Sequence, residues 1–158
     1  MGNPLSIRKN KNNLKILQHH TNHIYHLNKL KDGRLASCSN DSSLNIYKIQ
    51  TFELQLSIKE HSKGINSFTQ LKDERIITCS WDTTMKIITL IGEKKYRIDQ
   101  TLNGHTNTIM KVIEIKDNEL ISISGDKEMK IWILNKEYIF EYITNIIFQD
   151  ELTRNILN

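Results

Sequence analysis

The chain has 158 residues, of which 25% are charged and 38% hydrophobic, and its net charge at pH 7 is +4. This composition is typical of one globular domain and argues against a disordered chain. No apolar stretch approaches the ~18 residues of a membrane-spanning helix, and the N-terminus lacks the apolar segment of a secretory signal.

Basic residues dominate the start of the chain, because positions 1–31 hold six basic side chains and no acidic one. Positions 1–12 are interpreted as a basic tail, and its first six residues fit the pattern for N-myristoylation at Gly2. One acyl chain binds membranes only marginally, so a basic stretch is the usual second signal. Two interpretations stay open: a solvated tail, or a segment attracted to an anionic membrane or to nucleic acid.

One spacing recurs three times after this tail, with a histidine 21 residues before an aspartate. The pairs are His20 with Asp41, His61 with Asp82, and His105 with Asp126. The aspartates stand 41 and 44 residues apart. Self-similarity at that period is typical of stacked β-units such as propeller blades.

Each repeat divides into four predicted strands, which isoleucine favours because its branched side chain fits a pleated surface. Asp32-Gly33 is a strong hairpin signal between the first two strands. A lone strand is predicted before the first repeat, at 14–17, and a C-terminal remnant, 144–158, after the last. The twelve predicted strands are 24–30, 35–39, 44–49, 53–58, 65–71, 76–80, 85–90, 96–102, 109–115, 120–124, 129–134 and 138–143.

The repeats resemble those of the WD40 family (WD domain, G-beta repeat). The family's Gly-His pair stands in full at Gly104-His105, whereas its Trp-Asp dipeptide is reduced to Trp132-Ile133. The resemblance covers about 13–143. It implies an all-β fold of propeller blades in an incomplete ring: three four-stranded antiparallel blades plus the orphan N-terminal strand. The implied blades are 18–58, 59–102 and 103–143.

The resemblance also implies one buried hydrogen-bonded set in each repeat, made of the histidine, a Ser or Thr, the aspartate and an aromatic residue. A buried aspartate and imidazole are tolerable only when they are paired. Ile88 stands where the second repeat should have its aromatic residue, so that set is expected to end early. The members are His20, Ser37, Asp41 and Tyr47; His61, Thr78 and Asp82; and His105, Ser122, Asp126 and Trp132.

These sets also look like hydrolytic triads, but a catalytic set is needed once, so three copies favour a structural role and no enzyme. His23 and His26 stand three residues apart in a strand and are expected on opposite faces, so no metal or cofactor is predicted. Cys38 and Cys79 share one repeat position, which predicts buried, unpaired residues. Free cysteines suit a reducing compartment such as the cytoplasm, with the nucleus and membrane periphery still open.

By the same resemblance, partners would bind on the top face of the propeller, near its central channel. Aromatic residues dominate binding hot spots, which favours Trp81 and Tyr25. The competing interpretation is that Trp81 packs against the next blade's loop. No cluster of cations maps to this face, so nucleic-acid binding is not expected there. The nine implied positions are His23, Tyr25, Asn40, Gly64, Asn66, Trp81, Thr108, Met110 and Gly125.

The sequence therefore predicts a non-catalytic scaffold for protein–protein interactions. A membrane-tethered adaptor acting through an acylated Gly2 is the first alternative, and a fragment of a larger WD40 protein or a regulatory subunit of an enzyme complex is the second. An open arc of three blades would expose apolar faces and strand edges. Self-association, or a second chain that completes the ring, is therefore expected unless the blades continue in a longer protein.

Overall fold

The computed structural model of the protein describes residues 16–135 and 139–147, and all twelve strands in these ranges belong to antiparallel sheets. Three four-stranded sheets follow one another along the chain, and within each sheet every strand pairs with the next. We call them blades 1, 2 and 3. Blade 1 consists of β1 (Ile24–Lys29), β2 (Leu35–Ser39), β3 (Leu44–Lys48) and β4 (Glu53–Ile58).

Blades 2 and 3 repeat the order of blade 1. Blade 2 consists of β5 (Ile65–Gln70), β6 (Ile76–Ser80), β7 (Met85–Ile91) and β8 (Lys95–Leu102). Blade 3 consists of β9 (Ile109–Lys116), β10 (Glu119–Ser124), β11 (Glu128–Leu134) and β12 (Phe140–Ile147). The predicted all-β blade architecture is confirmed, and no ring closes among the described strands.

Two predicted elements differ from the structure at the ends of the chain. Ile16 and Leu17, the described part of the predicted orphan strand, have no strand assignment, whereas Leu14 lies outside the described residues. A strand needs a neighbour for its backbone groups, and none of the described blades offers one there. The last strand continues to Ile147, past the predicted end at Ile143, because it pairs with β11 as far as Glu128. The basic tail at 1–12 lies outside the described residues.

The core lies between the blades and not within them. One buried cluster joins blades 1 and 2, and a second joins blades 2 and 3. Cys38 belongs to the first cluster and Cys79 to the second, and both thiols are free and buried as predicted. Burial raises the pKa of the Cys38 thiol to about 12, so it stays protonated. Each thiol therefore serves as a small apolar packing residue.

The first strands of successive blades contact one another, β1 with β5 and β5 with β9, which places them on the inner side of the arc. We call the face that a blade turns toward the next blade its downstream face, and the opposite one its upstream face. Blade 2 is covered on both faces, so all five residues of β6 are buried. The described part of the chain holds no helix with the length and apolar character needed to span a bilayer.

Candidate functional site

The hydrogen-bonded set of blade 3 runs through four side chains. Trp132 Nε1 donates to Ser122 Oγ at 2.8 Å, and that hydroxyl lies 2.8 Å from His105 Nε2. His105 Nδ1 lies 2.7 Å from Asp126 Oδ2. Because an ionised carboxylate can only accept, Nδ1–H donates to Asp126, so Nε2 of the neutral ring accepts from Ser122, whose oxygen accepts from Trp132. Burial lowers the pKa of His105, which keeps the imidazole in this neutral form.

Blade 2 builds a shorter set, because Ile88 at the aromatic position has no polar atom. His61 Nδ1 lies 2.9 Å from Asp82 Oδ2, and its Nε2 lies 2.8 Å from Thr78 Oγ1. Ile88 is buried in the cluster between blades 1 and 2. Burial lowers the pKa of His61 despite the neighbouring carboxylate, so this ring is neutral as well.

Blade 1 has all four predicted members, but its aromatic residue is held loosely. His20 Nδ1 lies 3.0 Å from Asp41 Oδ2, and its Nε2 lies 2.7 Å from Ser37 Oγ. The Tyr47 hydroxyl lies 3.5 Å from Ser37 Oγ, at the outer limit of a hydrogen bond. The Tyr47 ring packs 5.5 Å from the ring of His19 instead.

The aspartates stay ionised although they are largely covered. Burial alone would raise the pKa of Asp41, but the Ser43 hydroxyl and the backbone N–H groups of Thr21 and Ser43 outweigh it and hold the pKa at about 2. The pKa of Asp82 is likewise about 2, because the Thr84 hydroxyl and His61 offset its burial. In blades 2 and 3 the carboxylate therefore accepts a hydrogen bond from a neutral imidazole.

This geometry suits a structural role better than catalysis. The histidine side chains of the three sets are 3%, 1% and 0% exposed, so bulk solvent barely reaches them. Ligand atoms of His105, Asp126 and Glu128 lie within 4.8 Å of one another, which is the spacing of a metal site. However, His105 Nδ1 already bonds Asp126, and Glu128 Oε2 accepts from Lys130 Nζ at 2.6 Å. We therefore assign this group to the fold.

His23 and His26 lie in different surroundings, so the two side chains do not converge on one metal ion. His26 lies between blades 1 and 2, where its ring is 4.7 Å from the ring of Phe68. His23 is exposed, and its carbonyl accepts from the N–H of Asn40 at 2.9 Å. The same backbone bond recurs from Trp81 to Gly64 and from Gly125 to Thr108, both at 2.9 Å. It ties together two of the three top-face positions in every blade.

Six of the nine implied top-face positions come together around one open depression of about 640 Å³, which we call the top-face cleft. The first strand of each blade contributes one of its residues, and the remainder come from the loops at the same end of blades 2 and 3. The cleft therefore spans all three blades. Its lining residues are Tyr25, Asn66, Trp81, Asn107, Thr108, Met110 and Gly125.

Hydrogen bonds hold the edge of Trp81 while leaving the ring open. Trp81 Nε1 donates to Asn66 Oδ1, and Asn66 Nδ2 donates to the carbonyl of Ile109 at 2.8 Å. The ring of Tyr25 lies nearly parallel to that of Trp81, with an interplanar angle of 15° and 6.3 Å between centroids. Both aromatic residues are 41% exposed, and Met110 is 53% exposed.

Three of the nine implied positions, His23, Asn40 and Gly64, do not line the cleft. Asn40 instead packs against the backbone of Gly64 in blade 2. A Cβ atom on Gly64 would lie 2.9 Å from Asn40 Cα and 2.5 Å from its Oδ1, so the position admits only glycine. The residue that sequence reasoning missed is Asn107, which stands two positions after the repeat histidine. Its only sequence signal was Asn22, the equivalent residue of blade 1.

The cleft is neutral, and its side-chain amides are already occupied. None of its lining residues carries a charge. Asn107 accepts from the N–H of Thr108 at 2.7 Å and donates to the carbonyl of Gly125 at 3.3 Å. What remains open to a ligand is the aromatic and thioether surface of Tyr25, Trp81 and Met110. An uncharged apolar side chain fits such a surface better than an ion or a phosphate does.

The fold and these repeated sets define a repeat protein of the β-propeller class. A family model described as "WD domain, G-beta repeat" matches residues 11–48 and 52–89. The structure is similar to the crystal structure of the RRP9 WD40 repeats, with a TM-score of 0.73 and 17% sequence identity. The match covers 85% of this chain and 41% of that one, and at this identity it shows the fold alone. No curated protein sequence matches.

Residues 11–48 and 52–89 are WD40 repeats. Blades 1 and 2 carry the matched repeats, and blade 3 repeats their strand order and their histidine–aspartate set. WD40 domains generally mediate protein–protein interactions.

Proposed function

We propose that this chain is a non-catalytic scaffold that binds a partner protein in the top-face cleft. The observation that carries the proposal is the pairing of Tyr25 with Trp81, two half-exposed aromatic rings held parallel beside Met110. Exposed aromatic residues with fixed orientation provide large contact area at a low entropic cost on binding. The bond from Trp81 Nε1 to Asn66 supplies that orientation before a partner arrives.

The chemistry of the cleft indicates what the partner presents. Since no lining residue is charged and both amides are bonded within the protein, selectivity comes from shape and apolar contact. We expect a segment of polypeptide that inserts one aliphatic or aromatic side chain between Trp81 and Met110. Nucleic acid does not suit this surface, because phosphate binding needs cationic side chains.

The burial of the three histidine–hydroxyl pairs agrees with a scaffold that has no enzymatic activity. A nucleophile needs an exposed hydroxyl beside its base, whereas Ser37, Thr78 and Ser122 are buried. A regulatory subunit of an enzyme complex would use the same cleft. The two open end faces of the arc are a second surface for protein contacts, by self-association or through another chain.

The free buried thiols of Cys38 and Cys79 suit a reducing compartment, and we propose the cytoplasm, including the membrane periphery, or the nucleus. The alternative of a membrane-tethered adaptor depends on Gly2 and the basic tail. Both lie outside the described residues, so that alternative stays a prediction.

A peptide-display selection against the purified chain tests the cleft. We expect enrichment of sequences with an apolar anchor, and we expect Trp81→Ala to weaken their binding about 30-fold, the effect of a ~2 kcal/mol hot spot. Ile91→Ala is the matched control, because Ile91 is exposed to a similar degree but lies at the far end of blade 2. Equal weakening by both variants, or none by Trp81→Ala, would contradict the proposal.

A further inference from the structure

The downstream face of blade 3 has the same apolar character as the two downstream faces that are already covered. Leu30 of blade 1 and Leu71 of blade 2 are 2% and 1% exposed, whereas Ile115 at the equivalent position of blade 3 is 46% exposed. Cys38 and Cys79 are fully buried, whereas their equivalent, Ile123, is 38% exposed. Blade 3 therefore ends in a packing surface with nothing packed against it among the described residues.

A small apolar hollow marks the centre of this surface. It measures about 120 Å³ and is lined by Ile113, Ile121, Ile123 and Met129, with Lys111 at its rim. At the other two downstream faces, the equivalent region receives apolar side chains from the next blade. The hollow therefore has the chemistry of a seat for the upstream face of a WD40-type blade.

Blade 1 carries such an upstream face, and among the described residues nothing covers the part of this face that β1 contributes. Ile65 and Ile109 begin the first strands of blades 2 and 3 and are both 1% exposed, whereas Ile24 at the equivalent position is 57% exposed. Phe68 of blade 2 is also buried by its upstream neighbour, whereas its equivalent, Leu27, is 57% exposed. The two ends of one molecule are therefore the two halves of the interface that the molecule already contains twice.

We propose that two copies of this chain join head to tail, with the downstream face of blade 3 in each copy covering the upstream face of blade 1 in the other. Two copies supply six blades and three copies supply nine, whereas propellers close with roughly four to eight. The proposal thus specifies a closed dimer. It rests on the proposed use of the end faces for protein contacts and is independent of the top-face cleft.

A hydrogen bond that is present at both internal interfaces has no acceptor at the equivalent position of the proposed dimer. The N–H of Lys31 donates to Gln70 Oε1 at 2.7 Å, and the N–H of Lys72 donates to Glu114 Oε2 at 2.8 Å. In the dimer the donor is the N–H of Lys116, and the position of the acceptor is Lys29. An ammonium group cannot accept this bond, so apolar contacts carry the association.

The mismatch provides a gain-of-function test. Lys29→Gln gives blade 1 the same acceptor that blade 2 has at Gln70, and removes a positive charge opposite Lys116. We expect the midpoint concentration for dimer formation to fall by at least about five-fold, the effect of one added hydrogen bond. Lys94→Gln is the matched control, since it removes the same charge at an exposed turn of blade 2, away from both end faces.

Light scattering after size exclusion, over a range of concentrations, gives the mass of the whole chain and of its variants. We expect a species of twice 18.5 kDa that does not grow further. Ile123→Glu in blade 3 and Leu27→Glu in blade 1 should each give a monomer with unchanged circular dichroism, because both side chains are exposed in one copy. An equimolar mixture of the two variants should recover part of the dimer, because one of its two interfaces is then intact.

A folded wild-type chain that stays monomeric would overturn the proposal and would assign the end faces to the blades of another polypeptide. Larger open assemblies, or a dimer that Ile123→Glu and Leu27→Glu leave intact, would overturn it as well. Peptide binding that depends on Trp81 can be measured on any of these species. Failure of the dimer and failure of the cleft are therefore distinguishable.

Discussion

Blades 2 and 3 each contain a histidine–aspartate set, and the two sets end in different residues. In blade 3 the set ends at Trp132, which donates to Ser122 at 2.8 Å. In blade 2 the same place is taken by Ile88, which makes no polar contact and is buried against blade 1. The His–hydroxyl–Asp part is therefore common to both blades, whereas an apolar side chain that fills the space can replace the last member of the set.

Removing the aspartate of the set should reduce stability more than any other change proposed here, and by the same amount in both blades. Asp82→Ala and Asp126→Ala each leave a buried imidazole N–H and two backbone N–H groups without their acceptor. We expect the free energy of unfolding to fall by about 3–5 kcal/mol, because three donors lose a charged acceptor at once. Urea denaturation measures this change.

Asp117→Ala is the control for both substitutions, because Asp117 is an exposed aspartate paired with Lys72 and should cost less than about 1 kcal/mol. A loss in one blade that is several-fold larger than in the other would break the equivalence of the two sets.

Shortening the last member of the set should reduce stability more in blade 3 than in blade 2. Trp132→Phe removes the bond to Ser122 and part of a buried ring, so we expect a loss of about 2 kcal/mol. Ile88→Val removes only one methylene from a buried cluster and should cost about 1 kcal/mol. Equal losses, measured in the same denaturation experiment, would mean that the indole hydrogen bond adds nothing to packing.

The pH dependence of stability should reflect both sets at once. The pKa values of His61 and His105 are lowered in the folded chain, so the unfolded chain binds protons first as the pH falls below about 6.5. One unit of pKa shift corresponds to ~1.4 kcal/mol. We expect the midpoint of urea unfolding to decrease steadily from pH 7.5 to 5. A midpoint that rises over this range would show that the histidines are charged in the fold.

The aspartates add a second step at lower pH. The pKa of Asp82 falls from 3.8 to about 2 on folding, so its contribution is complete above 3.8 and disappears as the pH falls toward 2. Asp82→Ala should remove part of this acid step, and the rest should remain in Asp41 and Asp126.

The smallest difference concerns the turn between the first two strands of each blade. Glu74 in blade 2 and Asn118 in blade 3 both have positive φ, 74° and 67°, where blade 1 has Gly33 at 89°. Asparagine tolerates this conformation better than glutamate does. We expect Glu74→Gly to stabilise the chain by about 1 kcal/mol and Asn118→Gly by less, as measured by thermal unfolding. A destabilising Glu74→Gly would contradict this explanation.

The periodic part of the structure could be predicted from sequence. A spacing of 21 residues brings His105 to Asp126 because one strand, one turn and a second strand separate them, and that count is the same in all three blades. Strand positions follow from the same repetition, so every described strand except β12 matches its prediction within one residue at each end. Local alternation and turn residues fix such features without knowledge of the neighbouring blade.

Features between blades could not be predicted, because they depend on how one blade is placed against the next. The parallel rings of Tyr25 and Trp81 come from different blades, and nothing in either repeat indicates their angle. For the same reason, the sequence did not predict that Asn107 lines the cleft.

The position of the core between blades also determines how the chain exchanges its amide hydrogens with solvent. In a monomeric variant such as Ile123→Glu, each terminal blade is supported on one face, whereas blade 2 is supported on both, so opening should begin at either end and reach β6 last. The backbone of Ile76–Ser80 should then retain its protons longest, and its exchange rate should report the unfolding of the whole arc. Protection should decrease outward from that strand in both directions along the chain.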